Sequence, residues 1–275
     1  MNLDWITDPH LDHLSSRTLI RFVDKLHQRD SDGLIITGDI AESSTIYDML
    51  GVLSGAYQRP IYFVLGNHDF YGATMKTTKE RVLDVCHATP PGILNWTSSR
   101  LFTHLKDQTG IVGCDGLYDG AGLDLTQPLV AMTDFADPQA GIVDFLDAAD
   151  ISIWTLLGFL QKLAQDNCAQ VRRGVEAAVS FGLTRILILT HVPPFPESSF
   201  YRGKPTEKDA LPWYSSRTLA DELCRLATEF PNVSFEVYSG HTHGAASYQA
   251  APNLVAHVGS AYYGRMPQFQ PPITI

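Results

Sequence analysis

At 275 residues, with 44% hydrophobic and 18% charged side chains, the chain can bury one large core or two modest ones, and its composition excludes a disordered or fibrous protein. No apolar run approaches the ~20 residues needed to span a bilayer, and no basic segment followed by an apolar stretch precedes the first strand-like run, so a cytoplasmic protein with no membrane partner is expected. The formal net charge of −10 and the lack of a basic, aromatic-interleaved track disfavour a nucleic-acid polymer as partner.

The first strand-like run, 3–7, ends in Asp8-Pro9-His10. A helix is predicted over 16–29, where Leu19, Ile20, Phe22, Val23 and Leu26 recur at helical spacing. The apolar run 34–37 then leads to Gly38-Asp39, a helix is predicted over 44–55, and the run 61–65 leads to Gly66-Asn67-His68-Asp69. A further helix is predicted over 77–86. This βαβαβ start predicts parallel strands joined by crossover helices.

The middle is less regular. Residues 93–105 fit one or two strands and 110–114 another, while 116–150 is rich in Gly, Asp and small residues. From Asp107 to Gln161 there is no Lys or Arg but nine Asp, so this segment holds nearly all of the net charge of −10. A solvated acidic surface is the plainer expectation. The other is an insertion or lid around 116–150, within a single domain spanning 1–275, that would repel long polyanions if it lay at the site mouth. The four cysteines, Cys86, Cys114, Cys168 and Cys224, form no CxxC pair and read as reduced thiols.

A long helix is predicted over 151–181 with Gly182 as its stop. The run 186–190 delivers His191, and a Pro- and Ser-rich loop follows to about residue 215. A helix over 218–230 and strands at 234–239, 245–250 and 254–258 complete the chain, with Gly240-His241-Thr242-His243 after the first of these strands.

Five polar islands thus stand where strand-like runs stop, which is where open α/β sheets place ligands. Asp8 and His10 are two apart, a spacing that in extended chain aims both side chains at one ion. His241 and His243 repeat it, although a compact turn could aim them at neighbouring ions. Asp39 offers two carboxylate oxygens, enough to bridge ions ~3.5–4 Å apart. Asn67 offers a neutral amide oxygen and His191 an imidazole. Scattered structural histidines would not collect repeatedly at strand ends beside Asp and Gly.

The order Asp-x-His, Gly-Asp, Gly-Asn-His-Asp, His and Gly-His-Thr-His resembles that of the calcineurin-like metallophosphoesterases, and it extends from Asp8 to His243. The resemblance implies an α/β fold, a four-layer α/β/β/α sandwich with two facing mixed β-sheets. It implies one metal held by Asp8, His10, Asp39 and His243 and a second held by Asp39, Asn67, His191 and His241. Imidazole and carboxylate donors without thiolate suit two divalent or mixed-valence ions, with Mn, Fe or Zn foremost. Two such ions outweigh two aspartates, so the site is cationic in an acidic protein and attracts a phosphoryl group. A water between the ions would have a lowered pKa and attack phosphorus in line with the leaving oxygen.

His68, beside Asn67, carries the implied catalytic role of orienting phosphoryl oxygens or protonating the leaving group; the plainer reading is a support for Asn67. Asp69 and Glu42 are candidates to orient His68, Asp69 thereby joining the catalytic set. After His191, Val192 stands where many relatives carry a second histidine. Arg202 could clamp a substrate anion or be a solvated loop charge, and Phe200, Tyr201, Trp213 and Tyr214 either shape a leaving-group pocket or pack the loop. His13 reads as a solvated turn residue, His257 as a core histidine, and His27, His87 and His104 have no ligand-like neighbour. The expected reaction is hydrolysis of a small phosphate ester. The islands contain no Arg or Lys to neutralise a dianionic monoester, which inclines the reading toward small phosphodiesters. A phosphomonoesterase, a nuclease and a non-catalytic scaffold of the same fold are the alternatives.

Overall fold

The computed structural model describes residues 1–124, 134 and 152–275. The acidic insertion or lid expected around 116–150 therefore lies for the most part outside the described residues. Strands β1 (Asn2–Ile6), β2 (Gly33–Thr37), β3 (Ile61–Val64) and β4 (Leu94–Trp96) run parallel, and β13 (Ile273–Thr274) closes the edge antiparallel to β1. A second sheet has the order β11 (Ala246–Ala251), β12 (Leu254–Val258), β10 (Ser234–Ser239), β7 (Arg185–Leu189), β6 (Thr109–Gly113) and β5 (Thr103–Lys106). Its four central strands are parallel and its two edges antiparallel. Both sheets are mixed, as expected. The stretch 93–105 holds two strands, one in each sheet, so the chain crosses between sheets there.

Side-chain alternation decides which face each strand residue covers. Leu3, Trp5, Ile35, Tyr62 and Val64 from the first sheet meet Ile111, Leu187, Leu189 and Tyr238 from the second in one cluster between the sheets. Their neighbours in sequence, Ile6, Leu34, Ile36, Ile61 and Phe63, point the other way, onto α1 (Ser16–His27), α2 (Ile46–Tyr57) and α3 (Met75–Ala88). On the second sheet Val112, Ile186, Ile188, Phe235 and Val237 do the same toward α4 (Ile153–Ser180) and α6 (Arg217–Glu229). The result is the four-layer α/β/β/α arrangement. Because both faces of each central strand are covered, these strands read as continuous apolar runs.

Local chemistry sets the helix ends. Ser15, Thr74 and Ser152 cap α1, α3 and α4 by accepting the amides of Thr18, Thr77 and Thr155. Gly182, at φ 101°, follows α4 as its stop. The loop after β7 has more structure than its composition suggested, with a hairpin of β8 (Phe200–Tyr201) and β9 (Lys204–Pro205) and a short helix α5 (Leu211–Tyr214). Both are too short to leave a periodic signature.

Two glycines of α4 separate helix propensity from packing. A Cβ on Gly158 meets nothing within 4 Å, whereas one on Gly174 lies 2.4 Å from the Leu101 carbonyl oxygen and 2.7 Å from Val112 Cγ1. Gly158→Ala is expected to stabilise the fold by ~0.5–1 kcal/mol. Gly174→Ala should destabilise it by ~1–3 kcal/mol through overpacking. Calorimetric midpoints that shift in the same direction for both would refute this packing of α4 on β6.

Candidate metal centre

Every island follows the C-terminal end of a central strand. Asp8 and His10 follow β1, Asp39 follows β2, Asn67 and His68 follow β3, His191 follows β7, and His241 and His243 follow β10. Backbone hydrogen bonds tie these exits together: Asp8 N–H to the Gly38 carbonyl at 3.2 Å, His10 N–H to Asp39 at 3.0 Å, and Gly240 N–H to His191 at 2.8 Å. Among the described residues eight non-glycines have positive φ, and five of them are Asp8, His10, Asp39, His241 and His243. Such conformations are sparsely populated for residues with a Cβ, so their concentration marks the strand exits as a functional site. The glycines of the motifs let the loops close in. A Cβ on Gly66 would lie 2.2 Å from Asp39 Oδ1, and one on Gly240 would lie 2.1 Å from Asp8 Oδ2.

The side chains gather into two adjoining groups. In the first, donor atoms of Asp8, His10 and His243 lie within 4.8 Å of one another, with His243 Nε2 at 3.2 Å from Asp8 Oδ1. Asp8 is fixed by the Thr7 hydroxyl at 2.5 Å and by the His241 amide at 3.0 Å. In the second, Asn67 Oδ1 sits between His191 Nε2 at 3.0 Å and His241 Nδ1 at 3.1 Å. Asp39 stands between the groups, with Oδ2 at 3.6 Å from His10 Nε2 and Oδ1 at 3.3 Å from His191 Nε2.

Hydrogen bonds on the far ring atoms orient two of the histidines. His191 Nδ1 is 2.8 Å from the Thr37 carbonyl and His241 Nε2 is 3.0 Å from the Trp213 carbonyl. Each ring is thereby held with its other nitrogen facing Asn67 Oδ1, the orientation in which an imidazole can serve as a metal ligand. Burial pushes the His10 and His241 pKa values down to about 4, so both rings are neutral. Burial opposes charge on His191 too, but the Asp39 carboxylate outweighs it and raises that pKa to about 10. Burial works against the charged forms of Asp8 and Asp39 as well, yet His243 draws Asp8 down to about 2 and His191 draws Asp39 below the usual carboxylate range. Buried His10 Nε2 has no hydrogen-bond partner among the described residues. Buried anions, neutral imidazoles and an orphaned ring nitrogen are a donor set that fits cations.

His68 lies at the edge of this cluster. Its ring stacks on Tyr71 with centroids 4.3 Å apart, its amide donates to Asp39 Oδ1 at 2.9 Å, and its Nε2 is 3.2 Å from the Tyr263 hydroxyl. Asp69 does not orient it. One Asp69 oxygen accepts the amides of Ile40 at 2.7 Å and Ala41 at 2.9 Å, the other accepts Gly66 N–H at 2.7 Å, and His68 Nδ1 has no hydrogen-bond partner among the described residues. Asp69 instead ties the exits of β2 and β3 together. Glu42 reaches His13, at 3.5 Å, rather than His68. Arg202 is exposed at the tip of the β8–β9 hairpin. His257 is held by Ser247 at 2.9 Å and stacks on Tyr238, away from the ligand cluster.

Two residues near the centre had no sequence signal. Tyr263 lies with its ring centroid 4.4 Å from that of His10 and 4.7 Å from that of His243. It sits in a turn outside all five motifs. Asp134 is buried and accepts the Asn67 amide N–H at 3.0 Å, which fixes the amide so that its oxygen faces His191 and His241. The acidic stretch is thus not simply a solvated surface. Asp115, also buried, accepts Leu65 N–H and Trp96 Nε1–H, each at 2.9 Å, and buried Asp119 accepts Thr218 N–H at 2.7 Å. No helix among the described residues is long and apolar enough to cross a membrane.

The architecture is shared with solved structures. A phosphopantetheinyl hydrolase from Mycobacterium tuberculosis superposes with a TM-score of 0.63 at 17% identity, covering 96% of this chain and 90% of its own. A dimetal phosphatase from Danio rerio does so with a TM-score of 0.56 at 12% identity, covering 94% of this chain and 87% of its own. At such identities the likeness is one of fold. No curated protein matches the sequence. The calcineurin-like phosphoesterase family matches residues 1–245, and the chain belongs to that family of metal-dependent phosphoesterases.

Proposed function

We propose that the protein hydrolyses small phosphate esters at a two-metal centre, with phosphodiesters preferred over monoesters. Asp8, His10, Asp39 and His243 would hold one ion; Asp39, Asn67, His191 and His241 would hold the other. The observation that carries this reading is the position of Asp39, whose two oxygens face His10 on one side and His191 on the other. Mn, Fe or Zn suits these donors. When bound, the ions would supply Lewis acidity toward the phosphoryl oxygens and a water acidic enough to act as nucleophile near neutral pH.

The chain's own residues have separable tasks. His68 carries a ring nitrogen at the edge of the cluster, positioned to orient the phosphoryl group or to give the leaving oxygen a proton. Tyr263 holds that ring through its hydroxyl, and Tyr71 supports its face. Asp69 acts as a brace for the loops rather than as a reacting group. Asp134 positions Asn67. The diester preference rests on charge: no Lys or Arg lies within the five motifs. A doubly charged monoester meets less compensation there than a singly charged diester. The same acidic balance argues against long nucleic acids.

Asp39→Ala should abolish hydrolysis and remove both ions, read by metal analysis after dialysis; retention of two ions would remove Asp39 from its bridging role. His68→Ala should keep both ions and lose ~10²–10⁴ in rate with an aryl diester. Metal loss in that variant would make His68 a ligand instead. Tyr263→Phe should lower kcat about three- to tenfold with metal content unchanged, the effect of one hydrogen bond worth ~1 kcal/mol. Asp134→Ala should weaken metal retention ~10–100-fold in chelator competition; unaltered retention would deny it the positioning of Asn67.

A further inference from the structure

A cleft of about 890 Å³ adjoins the metal centre and shares two walls with it, His243 and Tyr263. Its remaining lining includes Tyr201, Arg202, Tyr262 and Arg265. A second cavity, of about 440 Å³, is lined by Trp5, Tyr238 and His257 and by none of the seven candidate ligands. Of these two, the larger cleft is the one that reaches the candidate ligands.

Its chemistry differs from that of the motifs. Tyr201, Tyr262 and Tyr263 are each at least half exposed, and these three of the ten exposed large hydrophobic side chains among the described residues converge on this one cleft. Exposed aromatic surface gathered in this way marks a binding face. Arg202 and Arg265 are exposed, and neither forms an ion pair among the described residues. Each guanidinium lies by a tyrosine ring, Arg202 at 5.1 Å from the Tyr201 centroid and Arg265 at 5.9 Å from that of Tyr262. That arrangement limits the freedom of the side chain and leaves its planar donor fork available for an anion.

Two tight turns present these groups. Arg202 and Gly203, at φ 49° and 77°, form the tip of the β8–β9 hairpin. The second turn spans 262–265, closed by Arg265 N–H to the Tyr262 carbonyl at 3.2 Å and with Gly264 at φ 66°. A solvated arginine needs no such backbone, and two arginine–tyrosine pairs facing one cleft supply both an anion contact and flat apolar surface.

The position of His68 gives the cleft its role. Tyr263, which bonds His68 Nε2 at 3.2 Å, is also a cleft wall, so a leaving oxygen within reach of His68 belongs to a group extending past Tyr263 into the cleft. We infer that this cleft receives the leaving group of the ester and selects one that carries a second phosphate and a planar ring, a nucleotide, with Arg202 and Arg265 on the phosphate and the tyrosines on the ring. The inference rests on the hydrolase reading and names its substrate class. In the step, a water oxygen bonds to phosphorus and loses a proton to solvent. The phosphorus–oxygen bond to the leaving nucleotide breaks with its electron pair, and that oxygen takes a proton from His68, which solvent restores.

The test uses the full chain reconstituted with Mn and three substrates: bis(4-nitrophenyl) phosphate, the dinucleotide ApA, and its 5′-phosphorylated form pApA. Cleavage of pApA at the 3′-oxygen expels AMP and yields two AMP, whereas ApA expels adenosine. The expected result is two AMP from pApA and a kcat/KM at least about tenfold above that of ApA. In the Arg202→Ala/Arg265→Ala variant, with its thermal midpoint checked, that ratio should fall to near one. Equal kcat/KM for the two dinucleotides, release of adenosine 3′,5′-bisphosphate with adenosine, or an unchanged ratio in the variant would overturn the inference while bis(4-nitrophenyl) phosphate is still cleaved. No cleavage of any of the three substrates, with Mn, Fe or Zn, would overturn the hydrolase reading itself and the inference with it.

Discussion

Two carboxylates, Asp8 and Asp39, are buried at the ends of neighbouring parallel strands, and each disfavours the charge of the other. Burying two anions together without compensation is too costly for a marginally stable fold. The surrounding chain reads as a response to that constraint. His243 and His191 bring polar nitrogen to Asp8 and Asp39, amide N–H groups of His241 and His68 aim at the carboxylate oxygens, and Thr7 donates a hydroxyl. Even so, two neutral buried imidazoles, His10 and His241, stand beside them and contribute no positive charge of their own. A pair of cations would complete the balance, in keeping with a family built on a dinuclear metal centre.

The same constraint accounts for the backbone. To converge on a small volume, side chains from five strands in two sheets must turn sharply within one or two residues of each strand end. Left-handed conformations at Asp8, His10, Asp39, His241 and His243 achieve this. Asp69 adds a tie at the rear, accepting three amides from the loops after β2 and β3. Strain of this kind persists only where rigid surroundings hold it. Here they do: every residue of β2 and β3 is buried, and the cluster between the sheets lies directly beneath the strand exits.

The sequence was most legible where local pattern and global role coincide. The apolar runs of the central strands and the islands after them follow from burial on both faces and from ligand placement at strand ends, so each is visible within a few residues. Legibility ended where a role depends on a partner far along the chain. Asp115, Asp119 and Asp134 read as excess acidity, but each is a buried acceptor for groups such as the Leu65 amide, the Thr218 amide and Asn67, and no spacing encodes those meetings. Tyr263 lies 195 residues from His68, the ring it holds. Asp69, adjacent to His68 in sequence, is a candidate to orient it on that proximity alone. In the turn after β3 neighbouring side chains diverge, and its hydrogen bonds go to the preceding loop instead.

Separation of charge across the site connects these parts. The motifs bring anions and neutral imidazoles inward, where cations would neutralise the anions, and the acidic segment adds Asp134 at the rear of Asn67. The free guanidiniums of Arg202 and Arg265 are placed outside this shell, on two turns that share a cleft with His243 and Tyr263. Had those arginines stood among the ligands, they would have raised the cost of holding two cations by direct repulsion. At the cleft they can meet a distal phosphate without opposing the metals, because charges at the solvent boundary are screened over ~8–10 Å. Under the proposed reading, this division would let one site bind the reacting phosphorus through metals and recognise the departing group through protein, so that reaction and selectivity would be set by different residues and could vary independently.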